Sequence, residues 1–303
     1  MMARKLQKLM DATSDGVSFD LPEDVDWQRP HVFVSNHRDI ILDAALLELI
    51  FSKSGLEQPA ALAGSNLMTN DVMIKFSRLN RIFCMERGDG SKRAFYESLQ
   101  HTSQQVRALV DEGTSVWIAQ RNGRTKDGRD KTDPAVLKML CLSGRDKLQT
   151  LLELGVTPMS ISYEWEPCDM MKAREMMMKA RDGVYHKVAH EDEQSILTGL
   201  QQQKGRVHVA IGHPLTAEQL EGAADAAVKA AALIDEQIWR DYRLWPNNYI
   251  AYAMSGYEVG EECYTADEKM KFEQHLAQAP ELRDWLLRIY GGPVESKNNE
   301  IIG

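Results

Sequence analysis

Short apolar runs separated by segments of helical period limit what this chain can become more than any other feature. His31 to Ser35 (HVFVS), Arg81 to Met85 (RIFCM), Ser115 to Ala119 (SVWIA), Thr157 to Tyr163 (TPMSISY) and Arg206 to Ile211 (RVHVAI) read as strands. Between them, Asp43 to Ser52, Ser91 to Glu112 and Pro134 to Gly155 place apolar residues three and four apart, the period of helices with one buried face. Strands alternating with helices predict an α/β fold, a mixed, largely parallel sheet flanked by helices with a helical C-terminal part. After His213 the strand signal fades, and Thr216 to Tyr242 reads as one long or two short alanine-rich helices started by Thr216 with Glu218 and Gln219. Tyr264 to Tyr290 is again helical, and the closing GGPVESKNNEIIG is expected to fray. The expected division is an α/β domain over residues 1–215 and a helical extension over 216–303 packed on it.

Composition removes several classes of function. At 303 residues with 43% hydrophobic and 27% charged residues, the chain can bury a full core and is neither disordered nor fibrous. A formal net charge of -9 argues against a dedicated nucleic-acid binder, which needs a basic face. Cys84, Cys141, Cys168 and Cys263 are scattered without a CxxC pair, so neither a disulfide frame nor a metal site is expected. The polar first thirty residues hold no secretory signal, which points to the cytoplasm. The longest strongly apolar stretch, Ile40 to Phe51, is interrupted by Asp43 and Glu48 and falls short of the roughly 20 residues of a spanning helix. Membrane contact is therefore expected to be peripheral, on the cytoplasmic face.

His37 is the residue most suggestive of chemistry. It follows a strand and precedes a helix, a position where catalytic groups of α/β sheets collect. Asp43 opens that helix, one turn from the imidazole. A carboxylate so placed can accept the second imidazole N–H, hold the tautomer and stabilise the imidazolium formed when the other nitrogen takes a proton. The segment alone fits equally well a structural strand-end histidine with Asp39 as a helix cap. A kinase catalytic loop is excluded, because Ala44 stands where that loop needs an Asn and no glycine-rich loop precedes it.

Asn36-His37-Arg38-Asp39-Ile40-Ile41-Leu42-Asp43 resembles the first motif of the glycerol-3-phosphate and lysophosphatidate acyltransferase family, a His followed by four residues and an Asp. Five residues intervene here. Asp43 after a one-residue insertion is the preferred partner, because the family's Asp opens a long apolar helix as Asp43 does, and Asp39 is the alternative orienter. Arg81 to Arg87 resembles the second motif, a strand ending in Arg. Val116 to Gly128 resembles the third, with Gly123, Arg124, Thr125 and Gly128 matching but Arg121 or Asn122 in place of the family's glutamate. Val156 to Tyr163 resembles the fourth, a strand with Pro near its start. The four span residues 36–163.

The resemblance implies transfer of a fatty acyl group from acyl-CoA or acyl carrier protein to a hydroxyl of a glycerophosphate or lyso-lipid acceptor. It implies His37 as general base, Asp43 as its orienter and no acyl-enzyme. Arg87, Arg121, Arg124 and Lys126 would bind acceptor phosphate, since planar guanidinium forks pair well with phosphate oxygens. No cofactor or metal is expected beyond the thioester co-substrate. The expected partners are the acyl donor carrier, the acceptor and a membrane surface. The displaced Asp and the missing glutamate leave open a non-catalytic lipid- or phosphate-binding homologue, or a thioester hydrolase using the same His. Met171 and Met176 to Met178, flanked by Lys172, Arg174, Lys179 and Arg181, form either a core face or a soft face for lipid.

Overall fold

A computed structural model describes residues 2–64, 77, 81–85 and 91–302. Helix α1 (Met2–Thr13) precedes strands β1 (Val17–Asp20) and β2 (Val32–Ser35), helix α2 (Leu42–Lys53) and strands β3 (Ala60–Gly64) and β4 (Ile82–Met85). Next come α3 (Lys92–Asp111), β5 (Val116–Ala119), α4 (Pro134–Leu140), α5 (Lys147–Glu153), β6 (Val156–Tyr163), α6 (Asp169–Asp182), α7 (Glu191–Gln201) and β7 (Val207–Ile211). Helices α8 (Ala217–Leu220), α9 (Ala226–Asp241), α10 (Pro246–Met254), α11 (Ala266–Leu276) and α12 (Arg283–Ile302) complete the chain. Among the described residues, no helix is long and apolar enough to cross a membrane.

The described strands form one sheet in the order β1-β7-β6-β2-β5-β3-β4. Every neighbouring pair is parallel except β6 with β7. The sheet is thus mixed and largely parallel, as the strand and helix alternation predicts. Side-chain alternation along β2 and β5 sends Val32, Val34, Val116 and Ile118 to a core shared with α3, α4, α5 and α9. It sends Phe33 and Trp117 to the opposite core under α1 and α2, where Met159, Ile161 and Tyr163 of β6 join them. Each large apolar side chain buried completely here contributes about 1.5 to 3 kcal/mol. A third cluster joins α6 to α10, α11 and α12 through Ala173, Ile250, Phe272, Leu286 and Tyr290.

Two local expectations change. Pro134 to Gly155 is not one helix but α4, a short 3-10 turn over Cys141–Ser143, and α5. The break falls at Gly144, where a Cβ would meet Thr150 Oγ1 at 2.0 Å, and Asp146 restarts the chain by accepting from Gln149 N. Likewise the closing segment does not fray: α12 continues to Ile302 with Pro293 inside it. Lys297 Nζ donates to Arg240 O and Tyr242 O, Glu295 pairs with Arg129, and Val294 is buried. Contacts from outside the helix hold its last turns.

Gly128 shows how closely this helix approaches the loop after β5. Its φ is +74°, and an added Cβ would lie 2.1 Å from Ile289 O and 2.8 Å from Pro293 Cδ. Its carbonyl accepts from Arg38 Nη2 at 3.2 Å. Gly128→Ala combines a left-handed backbone with a clash against backbone, so a loss of about 2 kcal/mol or more is expected in denaturant unfolding. An unchanged midpoint would show that α12 can move away from the loop at no cost.

Candidate active site

β6, β2 and β5 lie side by side and parallel, so their carboxyl ends open onto one edge of the sheet. The turn after β2, the loop after β5 and the end of β6 meet there. Asn36, fully buried, continues β2 with its side chain: Oδ1 accepts from Ile161 N at 2.8 Å and Nδ2 donates to Ile161 O at 2.9 Å. The same amide donates to Asp130 Oδ2 at 2.9 Å. Thr125 N donates to His37 O at 2.7 Å, tying the loop after β5 to the turn after β2. The His37 backbone is therefore held from both neighbouring strands.

The His37 ring stands edge-on to Trp117, with centroids 5.6 Å apart. Its Nδ1 lies 2.9 Å from Asp43 Oδ2, with the imidazole side chain 14% exposed and that of Asp43 at 0%. No partner of Nε2 is found among the described residues, so one ring nitrogen is tied to a carboxylate and the other is left for an outside group. Asp43 Oδ2 also accepts from Arg38 N at 2.5 Å and Asp39 N at 2.9 Å. Tyr163 OH donates to Asp43 Oδ1 at 2.9 Å. Five intervening residues still let the carboxylate reach the ring because the turn folds back onto the first residues of α2.

Asp39, the alternative orienter, points elsewhere. Its Oδ1 accepts from Ile41 N at 2.9 Å and Leu42 N at 2.8 Å, a cap on the start of α2. Its Oδ2 is buried without a partner against Gly199 of α7. Burial and the neighbouring Asp43 charge raise the Asp39 carboxyl above its ordinary value, against the pull of the two N–H groups.

Arg38 turns away from Asp43 into the interior. Its guanidinium reaches Asp130 and Glu166, and lies 5.1 Å from the centroid of the Tyr242 ring. Lys172 of α6 completes the cluster, pairing with Glu166 and donating to Arg38 O at 2.7 Å. Two buried cations thus face two buried carboxylates. Removing any one of the four would leave an uncompensated buried charge.

The anticipated anion-binding residues are brought together only in part. Arg87 lies outside the described residues. Arg124 sits half-buried next to Thr125, with Nη2 donating to Ser195 Oγ of α7 at 3.2 Å and Nη1 buried without a partner. Arg121 is half-buried with its Nε unpartnered. Lys126 pairs with Glu175 of α6, and burial lowers its ammonium pKa below the ordinary value despite that carboxylate. The loop is thus less basic toward solvent than its sequence suggests. The polar groups that sequence reasoning passed over are Tyr163, Asp130 and Glu166, and Lys172, read there as flanking the methionines, is buried with them. Tyr163 had a signal, since it shares the inward spacing of Met159 and Ile161; the other three are joined to Arg38 by tertiary contacts alone. The methionines Met170, Met176 and Met177 pack against the third core cluster.

Comparison with known proteins gives a match over part of the chain. Residues 16–140 match the family model described as Acyltransferase. No curated protein matches the chain. The crystal structure of the 1-acyl-sn-glycerophosphate (LPA) acyltransferase PlsC from Thermotoga maritima aligns over 79% of this chain and 76% of its own at 17% identity, with a TM-score of 0.45. The matched stretch, residues 16–140, holds His37, Asp39, Asp43, Arg121, Arg124 and Lys126.

Proposed function

We propose that this chain transfers a fatty acyl group from a thioester carrier, acyl-CoA or acyl carrier protein, to a hydroxyl of a glycerophosphate or lyso-lipid acceptor. The observation that carries the reading is the His37 ring held through Nδ1 by the buried Asp43 carboxylate at the carboxyl edge of the sheet, with no partner of Nε2 among the described residues. Nε2 takes the acceptor hydroxyl proton as its oxygen attacks the thioester carbonyl. The tetrahedral intermediate then collapses, the C–S bond breaks, and the thiolate leaves with the proton returned by the imidazolium. Asp43 stabilises the imidazolium between these two steps. Arg124, with Arg121 and Lys126 on the same loop and Arg87 after β4, holds the acceptor phosphate and aims its hydroxyl. Lipid acceptors bring the protein to a membrane surface, so peripheral contact there is part of the proposal.

Thioester consumption by the purified protein, followed with and without a panel of phosphate-bearing and lyso-lipid acceptors, tests the reading. Acceptor-dependent release of free thiol with formation of an ester supports it. Acceptor-independent release of free fatty acid would make the protein a hydrolase, and binding without consumption would make it a non-catalytic homologue.

Arg124→Ala should raise the KM for a phosphate-bearing acceptor more than that for the thioester. Loss of one charge-assisted contact costs about 1.5 to 3 kcal/mol, or about tenfold to a hundredfold. Equal changes in both constants would remove Arg124 from the acceptor site.

A further inference from the structure

We infer that Tyr163 is a positioning residue for the His37 and Asp43 pair. Its hydroxyl holds the carboxylate oxygen that His37 does not use, and so fixes how Asp43 meets the imidazole. Where kinetics test it, this role rests on the acyl-transfer reading above; where spectroscopy tests it, it does not.

The placement begins with β6. Alternation along this strand turns Met159, Ile161 and Tyr163 toward the core under α2, while Ser160 and Ser162 face the other side of the sheet. Tyr163 is the last of the three inward positions, at the carboxyl end of β6 beside β2. Its ring is 1% exposed, and its hydroxyl points up to the first turn of α2, where Asp43 sits.

Asp43 needs such a partner. Its side chain is fully buried, and among the described residues no Lys or Arg side chain pairs with it; the nearest guanidinium in sequence, that of Arg38, is spent on Asp130 and Glu166. The carboxylate is held by dipoles and the imidazole alone. Oδ2 takes His37 Nδ1 and two backbone N–H groups, and Oδ1 takes Tyr163. Without the tyrosine hydroxyl, one carboxylate oxygen would be buried and unpaired, and the group would be free to rotate about its last bond. Rotation would misalign the oxygen that faces the imidazole. Burial, reinforced by the charges of Asp43 and Asp39, pushes the phenol well above its ordinary value, so it remains an O–H donor.

A buried tyrosine that merely satisfied its hydroxyl would affect stability alone. The test therefore compares Tyr163→Phe with Ser162→Ala, which removes a buried hydroxyl bonded to His208 O from the opposite face of the same strand. For Tyr163→Phe, kcat for acyl transfer should fall about tenfold or more, with both KM values within about twofold of wild type. The His37 Nδ1 proton resonance should shift or broaden. Ser162→Ala should change neither. If Tyr163→Phe leaves kcat within about twofold and the Nδ1 proton unmoved, the positioning role is wrong; the same holds if Ser162→Ala reproduces both effects. A shifted Nδ1 proton in a protein that transfers no acyl group from any thioester would sink the function and keep the positioning role. Should Tyr163→Phe fail to fold, fluorotyrosine at position 163 keeps ring and hydroxyl while changing donor strength. An Nδ1 resonance that ignores this change would equally overturn the inference.

Discussion

His37→Ala is expected to lower acyl-transfer turnover by a factor of roughly 100 to 10,000, the usual cost of losing a general base, with little change in unfolding midpoint. The separation of activity from stability follows from the surroundings of the ring. Among the described residues the ring packs edge-on against Trp117 and bonds to Asp43, and its outer nitrogen is unpartnered. Asp43 keeps three donors when the imidazole is removed: Arg38 N, Asp39 N and Tyr163 OH. No unsatisfied buried charge is created, so the fold should tolerate the change. Initial rates with saturating thioester and acceptor, set beside thermal unfolding, check both halves. Turnover close to wild type would eliminate His37 as the base.

Asp43→Asn is expected to reduce turnover by roughly 100-fold or more, for a reason that its hydrogen bonds specify. Arg38 N and Asp39 N both donate to Oδ2, so an amide at this position must turn its oxygen toward them and toward His37 Nδ1. Its NH2 then faces Tyr163, whose hydroxyl can rotate to accept. The imidazole keeps its tautomer and orientation. What disappears is the negative charge that stabilises the imidazolium as proton transfer proceeds. The loss should therefore appear in kcat, with both KM values nearly unchanged. A rise in KM at constant kcat would place Asp43 in substrate binding instead.

Much of the fold was legible because the interior strands β2, β5, β6 and β7 are apolar runs with almost every residue buried. β3 was not, because AALAG carries neither β-branched nor aromatic side chains. β1, a half-exposed edge strand of four residues, gives too short a pattern to recognise. The pairing of His37 with Asp43 was legible for a local reason, since strand end, turn and helix start are contiguous in sequence. The pairing of the basic loop with distant acids was not. Lys126 meets Glu175 and Arg129 meets Glu295, acids 49 and 166 residues away, which only the packing of α6 and α12 brings near. Sequence likewise marks Arg38 only as a surface-prone cation, whereas tertiary packing makes it one of the largest fully buried side chains.

The identity of the orienting carboxylate is tested most directly by the turnover of Asp43→Asn beside Asp39→Asn, with unfolding midpoints measured on the same preparations. Asp39 caps α2 through Oδ1, a role an Asn oxygen can fill. Its folded-state pKa is raised, so above the ordinary carboxylate range the buried charge costs stability that the neutral amide does not. Asp39→Asn should therefore keep turnover within a few-fold of wild type, with a midpoint equal or higher at neutral pH, while Asp43→Asn loses roughly 100-fold or more. Loss of most turnover in Asp39→Asn, with Asp43→Asn remaining active, would contradict the pairing of His37 with Asp43.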